Sequence, residues 1–379
     1  MKALDIFSRL IAYPTESSRS NQELIHFIAD YLESFRFRVH FFPSATTEKQ
    51  NLYAILGPEC SGGFMFAGHT DVVPVANQNW TVEPFQLTEK ENRFYGRGTA
   101  DMKGFIAQIL SIVPHISSAS LKYPLILAFT YDEEVGCLGA SQLMQQLSET
   151  SLPKPAQAIV GEPSGFIPFR LHKGMNLATI SIKGIPGHSS KPERGVSAIE
   201  IAGDILQFLK NMARELQQKR TLENLFEVPY STLNIGQIRG GTAHNIIASD
   251  CFLEVEFRSM PDSDPLYFYH QLIDYLKQDW KWKTRGGEVK VDLKQSLKPM
   301  MTPENNQIQH LVLKHALGPK CLAAPYYTEG AIYNEAGIES IIFGPGNIDQ
   351  AHREDEFISA EDFFRGIPIW EQIIHERLR

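Results

Sequence analysis

The stretch FAGHTDVVP (Phe66–Pro74) places a histidine and an aspartate two residues apart at the end of an apolar run. Side chains two apart on a strand point to the same face of the sheet. An imidazole and a carboxylate aimed in one direction, where a strand runs into a loop, suit a metal ligand and its hydrogen-bonded partner. We therefore expect His69 to be a ligand and Asp71 to accept its other imidazole N–H, which fixes the tautomer.

The residues around this stretch alternate apolar runs with helical patterns. Three apolar runs each read as a buried strand that ends in acidic residues or histidine: FMFAGHTD, YPLILAFTYDEE and AQAIVGEP. A helical pattern begins near Met102, and GASQLMQQL follows the second run. This alternation predicts an α/β sheet with some parallel pairing, in which functional side chains gather at the carboxyl ends of the strands.

The pattern changes from about Leu171. Six segments follow in the order β-α-β-β-α-β: LATISIKG, RGVSAIEIAGDILQFLKNMARELQQ, STLNIGQIRGG, CFLEVEFRSM, PLYFYHQLIDYLKQ and EVKVDLKQ. The first helical segment carries apolar residues at helical spacing, namely Val196, Ile199, Ala202, Ile205, Leu206, Leu209 and Met212. We expect a small α+β domain, residues 171–293, inserted into a catalytic domain made of residues 1–170 and 294–379.

Composition excludes several classes of function. The 379 residues are 43% hydrophobic and 21% charged with a net charge of −8, so we expect neither a nucleic-acid partner nor a membrane partner. The start, MKALDIFSRLIAY, reads as an amphipathic helix rather than a signal peptide. The four cysteines are scattered, which favours a reducing compartment, and we expect a cytoplasmic protein. No G-x-S-x-G or H-E-x-x-H motif is present.

Acidic residues and histidines recur where strands end, and a two-metal hydrolytic site is the chemistry that needs such a set. Two divalent cations a few ångströms apart repel each other, so they require a bridging carboxylate and further negative ligands. One acid must stay free to take a proton from the attacking water, and Glu133 is left for that role. The candidate ligands are His69, Asp101, Glu134, Glu162 and His352.

Five motifs in this order resemble the di-metal aminoacylase and carboxypeptidase family: GHTDVVP, YGRGTADMKG, TYDEEVGCLGA, GEPSG and GHSSKP. The resemblance implies a di-metal exopeptidase-like catalytic domain with an inserted βαββαβ lid and dimerisation domain, and two Zn or Co ions. It implies that His69 and Glu162 hold one ion, that Glu134 and His352 hold the other, and that Asp101 bridges them. Glu133 would be the general base, Asp71 would orient His69, and the peptide bond after Asp101 would be cis.

The resemblance also assigns roles within the inserted domain, which would form a homodimer. His188, in GHSS, resembles a family histidine that a partner subunit contributes to stabilise the oxyanion; a histidine in a strand-end turn is the alternative. Asn245 and Arg258 resemble residues that hold a substrate carboxylate, for which the guanidinium fork is suited. A surface salt bridge is the alternative for Arg258.

The carboxyl-terminal stretch YYTEGAIYNEAGIESIIFGPGNIDQAHREDEFIS resembles the deacetylase branch of this family in its Thr328-Glu329 pair. We predict both residues to be substrate-binding, with Glu329 favouring an ammonium group; an acid at a helix N-terminus is the alternative. The expected substrate is an N-acylated amino acid. The expected reaction removes acetate from N2-acetyl-L-ornithine in arginine biosynthesis. The alternatives are desuccinylation of succinyl-diaminopimelate and a broader aminoacylase or dipeptidase activity; a metal-binding scaffold without catalysis would have lost Glu133 or Asp101.

Overall fold

The computed structural model describes residues 1–116 and 121–378, and the chain divides into two compact units. The first unit comprises Met1–Arg170, Met301–Ala323 and Thr328–Arg379, and the second comprises Leu171–Met300 and Ala324–Tyr327. The second unit extends beyond residue 293, the predicted end of the insertion, because its last strand continues to Leu297. The roles of the two units as catalytic domain and lid stay predictions.

Within the described residues the helices are α1 Ala3–Ile11, α2 Gln22–Glu33, α3 Lys103–Ile116, α4 Leu138–Ser148, α5 Ala198–Gln218, α6 Tyr267–Lys277, α7 Lys281–Thr284, α8 Gln307–Leu313, α9 Gly330–Glu335 and α10 Ala360–Leu378. Among these helices, none has both the length and the apolar character needed to cross a membrane. Two short 3₁₀ turns span Pro192–Arg194 and Ile348–Gln350.

The strands are β1 Arg38–Pro43, β2 Gln50–Leu56, β3 Gly63–His69, β4 Thr88–Lys90, β5 Arg93–Tyr95, β6 Leu125–Thr130, β7 Pro155–Val160, β8 Phe169–His172, β9 Met175–Lys183, β10 Thr232–Gly240, β11 Asp250–Arg258, β12 Glu288–Leu297, β13 Met300–Met301, β14 Leu322–Ala324, β15 Glu339–Ile342 and β16 Phe357–Ser359.

The large sheet of the first unit contains the predicted parallel strands. Its order runs β1-β2-β6-β3-β7-β15, and β3 pairs in parallel with both β6 and β7 while β15 pairs in parallel with β7. All residues of β3 and β6 are buried, which is typical of parallel strands covered on both faces. Because β6, β3, β7 and β15 run in one direction, their carboxyl ends meet at the same edge of the sheet.

A cluster of aromatic side chains packs in the core beside this sheet. The indole of Trp370, on α10, lies within 6 Å of the rings of its neighbours, with centroids 5.7 Å from Phe66 and 5.3 Å from Phe105. Its Nε1–H donates to the buried Gln108 Oε1 at 2.7 Å, so this polar atom has a partner inside the core. The contact joins α10 to α3, the helix that begins at Lys103, two positions after Asp101.

The second unit has the predicted βαββαβ order. Its antiparallel sheet runs β10-β11-β9-β12, and the core between sheet and helices includes Leu253, Val255 and Phe257 of β11. The apolar stripe on α5 differs from the prediction at two positions. Val196 is buried but precedes the helix and forms a β-bridge with Ile185. Ile199 is 47% exposed, because the buried face of the helix passes through Ala198 and Ile201 instead.

The two ends of the long insertion are joined by hydrogen bonds within the first unit. Thr302 donates its main-chain N–H to the carbonyl of Arg170 at 2.9 Å. The guanidinium of Arg170 donates in turn to the carbonyl of Thr302 at 3.2 Å. The chain therefore leaves the first unit and re-enters it at neighbouring positions.

Candidate metal centre

All five candidate ligands lie in the first unit, in segments that follow strands or precede a helix. His69 is the last residue of β3, while Glu134 and Glu162 lie just beyond β6 and β7. Asp101 precedes α3, and His352 follows the turn Ile348–Gln350. The sheet thus delivers three of these side chains to one edge, and two loops bring the others to it. The structure brings together every residue of the predicted ligand set.

The first cluster consists of His69, Asp101 and Glu162, all buried. His69 Nε2 lies 2.9 Å from Asp101 Oδ1 and 4.0 Å from Glu162 Oε1. One nitrogen and two carboxylate oxygens of this cluster fall within 4.8 Å of one another. The peptide bond from Asp101 to Met102 is cis, as the resemblance implies.

The second cluster shares Asp101 with the first and adds Glu134 and His352. His352 Nε2 lies 2.9 Å from Glu134 Oε2 and 3.4 Å from Asp101 Oδ2, and the donor atoms of this cluster also fall within 4.8 Å of one another. Asp101 therefore turns one oxygen toward each histidine, which is the position of a carboxylate between two cations. The His352 side chain is 54% exposed, so this cluster is the more open of the two.

The donor set fits divalent cations. Glu162 Oε1 is buried without a hydrogen-bond partner among the described residues. Burial, followed by the charge of Asp101, raises the pKa of Glu162 well above its usual range and that of Glu134 to about 6. Carboxylates packed against one another in this way need positive charge beside them. Imidazole nitrogens and carboxylate oxygens together suit zinc and related transition metals.

Asp71 lies beside His69 but has a second role that the sequence does not indicate. The Nδ1 of His69 is 2.9 Å from the main-chain carbonyl of Asp71 and 3.6 Å from its Oδ1, so the carbonyl is the closer partner. The carboxylate instead accepts the main-chain N–H groups of Glu133 (3.1 Å) and Glu134 (3.3 Å). Ser17 also donates its hydroxyl to it at 2.7 Å. The Asp71 carboxylate is thus near enough to act on the ring, and its role in fixing the tautomer stays a prediction.

Glu133, the predicted base, lies in no metal-binding cluster of the described residues. Its Oε1 accepts a hydrogen bond from the thiol of Cys137 at 3.4 Å. Burial, together with the carboxylates of Glu134 and Asp101, raises the pKa of Glu133 well above its usual range. A carboxyl group beside the clusters, outside the ligand set and with a raised pKa is suited to accept a proton and release it again.

His188 and Asn245 are neighbours on the surface of the second unit. Ser189 donates its main-chain N–H to the carbonyl of Asn245 at 3.1 Å, and a single β-bridge joins His188 to Ile246. His188 Nδ1 accepts the main-chain N–H of Ser190 at 3.1 Å. A neutral imidazole that accepts at Nδ1 carries its proton on Nε2, so Nε2 is the donor. His188 therefore lies in a strand-end turn, the setting named above as the alternative. In that setting its Nε2–H can still donate a hydrogen bond.

Arg258 ends β11 in the second unit, and its guanidinium forms an ion pair with Glu256 on the same strand face. The salt bridge considered as its alternative is therefore present, with both side chains 31% exposed. A substrate carboxylate at Arg258 would have to compete with Glu256. Exposure at this level leaves room for that exchange, since surface ion pairs contribute about 0–1 kcal/mol.

Thr328 and Glu329 are buried in the first unit. The Thr328 hydroxyl accepts the N–H of Gly330 at 3.1 Å, and Glu329 is the N-cap of α9 but makes no capping bond with its side chain. The Glu329 carboxylate is instead held by the hydroxyls of Thr130 and Tyr333, the latter at 2.9 Å. With 1% of Glu329 exposed, the structure gives it internal partners rather than a surface for a ligand ammonium group.

Comparison with known proteins agrees with this geometry. Residues 65–376 match the group described as Peptidase family M20/M25/M40. The chain is 37% identical over 366 residues to the acetylornithine deacetylase of Pasteurella multocida strain Pm70, covering 94% of this chain and 93% of that protein. It is 36% identical over 381 residues to the acetylornithine deacetylase of Shigella sonnei strain Ss046, covering 98% and 97%.

Solved structures show the same fold at lower identity. A tripeptidase from Staphylococcus aureus subsp. aureus Mu50 superposes with a TM-score of 0.78 at 22% identity, over 99% of this chain and 98% of that one. A dinuclear metal-binding peptidase of family M20 from Bacillus subtilis gives a TM-score of 0.68 at 16% identity, over 98% and 96%. The α/β fold with an inserted α+β unit is therefore confirmed, and the chain belongs to Peptidase family M20/M25/M40, a family of metal-dependent hydrolases.

Proposed function

We propose that the protein hydrolyses the amide bond of N2-acetyl-L-ornithine to release acetate and L-ornithine, a step of arginine biosynthesis. The observation that carries the proposal is the meeting of His69, Asp101, Glu134, Glu162 and His352 beside an unligated Glu133. Relatives named acetylornithine deacetylase, identical at 36–37% of positions over nearly the whole chain, support this substrate. A scaffold without catalysis would not need both the shared carboxylate and a base.

Two divalent cations, zinc or cobalt, are the proposed cofactors. His69 and Glu162 would hold one, Glu134 and His352 the other, and Asp101 would contact both. When bound, such cations would lower the pKa of a water molecule beside them and polarise a carbonyl group. The chain itself sets the spacing of the ligand atoms. The hydrogen bond from the main-chain N–H of Glu134 to the Asp71 carboxylate helps to fix that spacing.

Glu133 is the proposed base. Its carboxylate would take a proton from the attacking water and later deliver it to the leaving amine, so that one group serves both half-reactions. Two contacts hold it in place. Its main-chain N–H is bound by Asp71, and the Cys137 thiol donates to Oε1. The second oxygen, Oε2, is the atom we assign to the proton transfer.

His188 is proposed to donate from Nε2 to the oxyanion that develops as the amide is attacked. The bond from Ser190 N–H to Nδ1 supports this assignment, because it leaves the proton on Nε2. Donors aimed at developing charge are worth about 10²–10³ in rate. We propose that the histidine is supplied by the partner of a homodimer, in line with the resemblance.

Asn245 and Arg258 are proposed to bind the α-carboxylate of the substrate. Arginine forms paired hydrogen bonds with carboxylates, and substrate binding would displace Glu256 from it. The burial of Thr328 and Glu329 supports a role in stabilising the first unit. We therefore do not assign them to binding of the ornithine ammonium group.

The proposed homodimer forms through the second unit. Its strand β10 lies at the edge of the four-stranded sheet, and Ile238 on that strand is 52% exposed. Edge strands with exposed apolar residues are suited to pairing with another chain. We also propose a cytoplasmic location, for which the four free cysteines, Cys60 among them exposed, give support.

The test compares three substrates with the same metal-reconstituted protein. The apo-protein receives Zn²⁺ or Co²⁺ one equivalent at a time, and turnover of N2-acetyl-L-ornithine, N-succinyl-LL-diaminopimelate and a dipeptide is measured side by side. We expect the highest kcat/KM with acetylornithine and no turnover before metal is added. Preferred turnover of the succinyl compound or the dipeptide would replace the proposed substrate, and activity without any metal would refute the mechanism.

A further inference from the structure

Glu356 is a buried carboxylate, 1% exposed, that binds the loop carrying Asp101. Its Oε1 accepts the main-chain N–H groups of Ala100 at 2.9 Å and Asp101 at 3.0 Å. Its Oε2 accepts the N–H of Gly98 at 2.9 Å and the guanidinium of Arg97 at 2.8 Å. Bonds to an ionised acceptor are roughly twice as strong as neutral ones. One side chain thus fixes the main chain that leads into the shared carboxylate.

The partner of Glu356, Arg97, extends the network toward the other side of the site. Arg97 is 1% exposed and donates to the carbonyl of Arg353 at 3.2 Å and to Gln78 Oε1 at 2.6 Å. Gln78 Nε2 then donates to the carbonyl of His352 at 2.9 Å. The guanidinium also lies 5.0 Å from the centre of the Trp80 ring, which covers it.

The main chain of His352 needs such support. Its φ of +62° lies in the left-handed region, which costs a residue with a Cβ free energy unless surrounding contacts hold it there. Gln78 binds the carbonyl of this residue, and four positions later the carbonyl of Glu356 accepts the N–H of Gly96 at 2.9 Å. Hydrogen bonds therefore hold the segment from His352 to Glu356 at both of its ends.

We propose that Glu356 is a positioning residue for the metal centre, acting with Arg97 and Gln78. It holds the main chain of Asp101 directly and that of His352 through the other two residues, so that both side chains stay in the cluster that would hold one cation. This inference rests on the metal-holding role proposed above for Asp101 and His352. It adds three residues that touch no candidate ligand side chain, yet determine where two of those side chains lie.

The test is calorimetric titration of the apo-protein with Zn²⁺, which requires no turnover. Glu356→Gln keeps the shape of the side chain but removes its charge and replaces one of its two acceptor oxygens with an NH₂ group. We expect the affinity of the cluster containing His352 to fall by about 10–100-fold, the usual effect of losing a residue that orients a metal ligand. Asp355→Asn is the matched control. Asp355 accepts from Thr81 at 2.8 Å, and its replacement should leave both Zn²⁺ affinities unchanged.

A second variant covers the case in which Glu356→Gln fails to fold because Arg97 is left buried without its counter-charge. Gln78→Ala removes the link to His352 together with the acceptor for Arg97 and Trp80, from a residue that is partly exposed, and leaves the bonds of Glu356 to the Asp101 loop in place. We expect a loss of about 10-fold in the affinity of the same cluster. The visible absorption of the Co²⁺-loaded variant should also change, since it reports ligand geometry, whereas a merely structural role would lower the thermal midpoint of the apo-protein and leave the spectrum unchanged.

Two results would overturn the inference. One is wild-type Zn²⁺ affinity in whichever of the two variants folds, and the other is an affinity loss in Asp355→Asn as large as in Glu356→Gln. Failure of the proposed substrate is distinguishable from both. If the protein binds two equivalents of Zn²⁺ but does not hydrolyse acetylornithine, the proposed function falls while the positioning role stands.

Discussion

The candidate metal ligands of the first unit and the candidate substrate residues of the second unit are held in different ways. His69, Asp101 and Glu162 are at most 6% exposed, and main-chain bonds fix the loops that carry Asp101 and Glu134. His188 and Asn245 are exposed, and the hydrogen bonds and β-bridge described for their two segments join one surface loop to another within the second unit. Acidic side chains that are held close together require a rigid backbone around them, whereas hydrogen-bond donors that contact a ligand can remain exposed to water. Substitutions in the two regions should accordingly separate into different measurements.

The largest effect is expected at Glu133. Glu133→Ala should lower kcat by about 10²–10⁴-fold or more, because proton transfer to and from the reacting atoms is lost. Zn²⁺ binding, measured by calorimetry, should remain close to that of the wild type, since Glu133 lies outside both clusters. Val135→Ala, in the same loop and 52% exposed in the wild type, is the control. Near-normal turnover by Glu133→Ala would remove it from the role of base.

His188→Ala should act on turnover alone. A loss of about 10²–10³-fold in kcat is expected for one oxyanion donor. Stability and Zn²⁺ affinity should not change, because the residue is exposed and its ring is bound only by Ser190. His244→Ala, at another exposed histidine of the second unit, provides the comparison. An equal loss in both variants would point to a disturbed surface rather than to a missing donor.

Arg258 can be tested through its present partner. Arg258→Ala should raise KM by about 10–100-fold, the equivalent of a charge-assisted hydrogen bond. Glu256→Gln should shift KM in the opposite direction, because it frees the guanidinium from its ion pair. Unchanged KM values in both variants would leave Arg258 with the surface salt bridge as its whole role.

The smallest effect on turnover is expected at Glu329. Glu329→Gln should lower the free energy of unfolding by about 1–3 kcal/mol in urea denaturation, because a buried acceptor for Thr130 and Tyr333 is replaced by an amide with one fewer acceptor oxygen. KM for acetylornithine should remain unchanged. A raised KM with wild-type stability would instead restore the predicted contact with the substrate ammonium group.

The sequence predicts the sheet edge and the insertion well, and the supporting bonds poorly. Apolar runs that end in His69, Glu134 and Glu162 are informative because parallel strands bring their carboxyl ends together. Nothing comparable marks the carboxylate of Glu356. Besides Arg97, its partners are main-chain N–H groups up to 258 positions away, and every residue type except proline has such a group.

Two smaller differences have the same origin. The spacing predicts that the Asp71 carboxylate lies beside His69, but it does not indicate that the Asp71 carbonyl is the closer partner of the ring or that the carboxylate also binds main-chain N–H groups. Ile199 is apolar but exposed, because it lies beside the face of α5 that packs on the sheet rather than on it. In each case the outcome depends on backbone geometry, which residue type encodes weakly.

The adjacent exit and return of the long insertion, joined by Arg170 and Thr302, have an evolutionary consequence. A domain in which the chain leaves and returns at adjacent positions tolerates replacement of the segment inserted there, since the entropic cost of closing a loop grows only slowly with its length. Lineages could therefore exchange or remodel the entire second unit while keeping the candidate metal ligands of the first unit. Under the proposed function, new substrate preferences would then arise by exchange of the second unit alone.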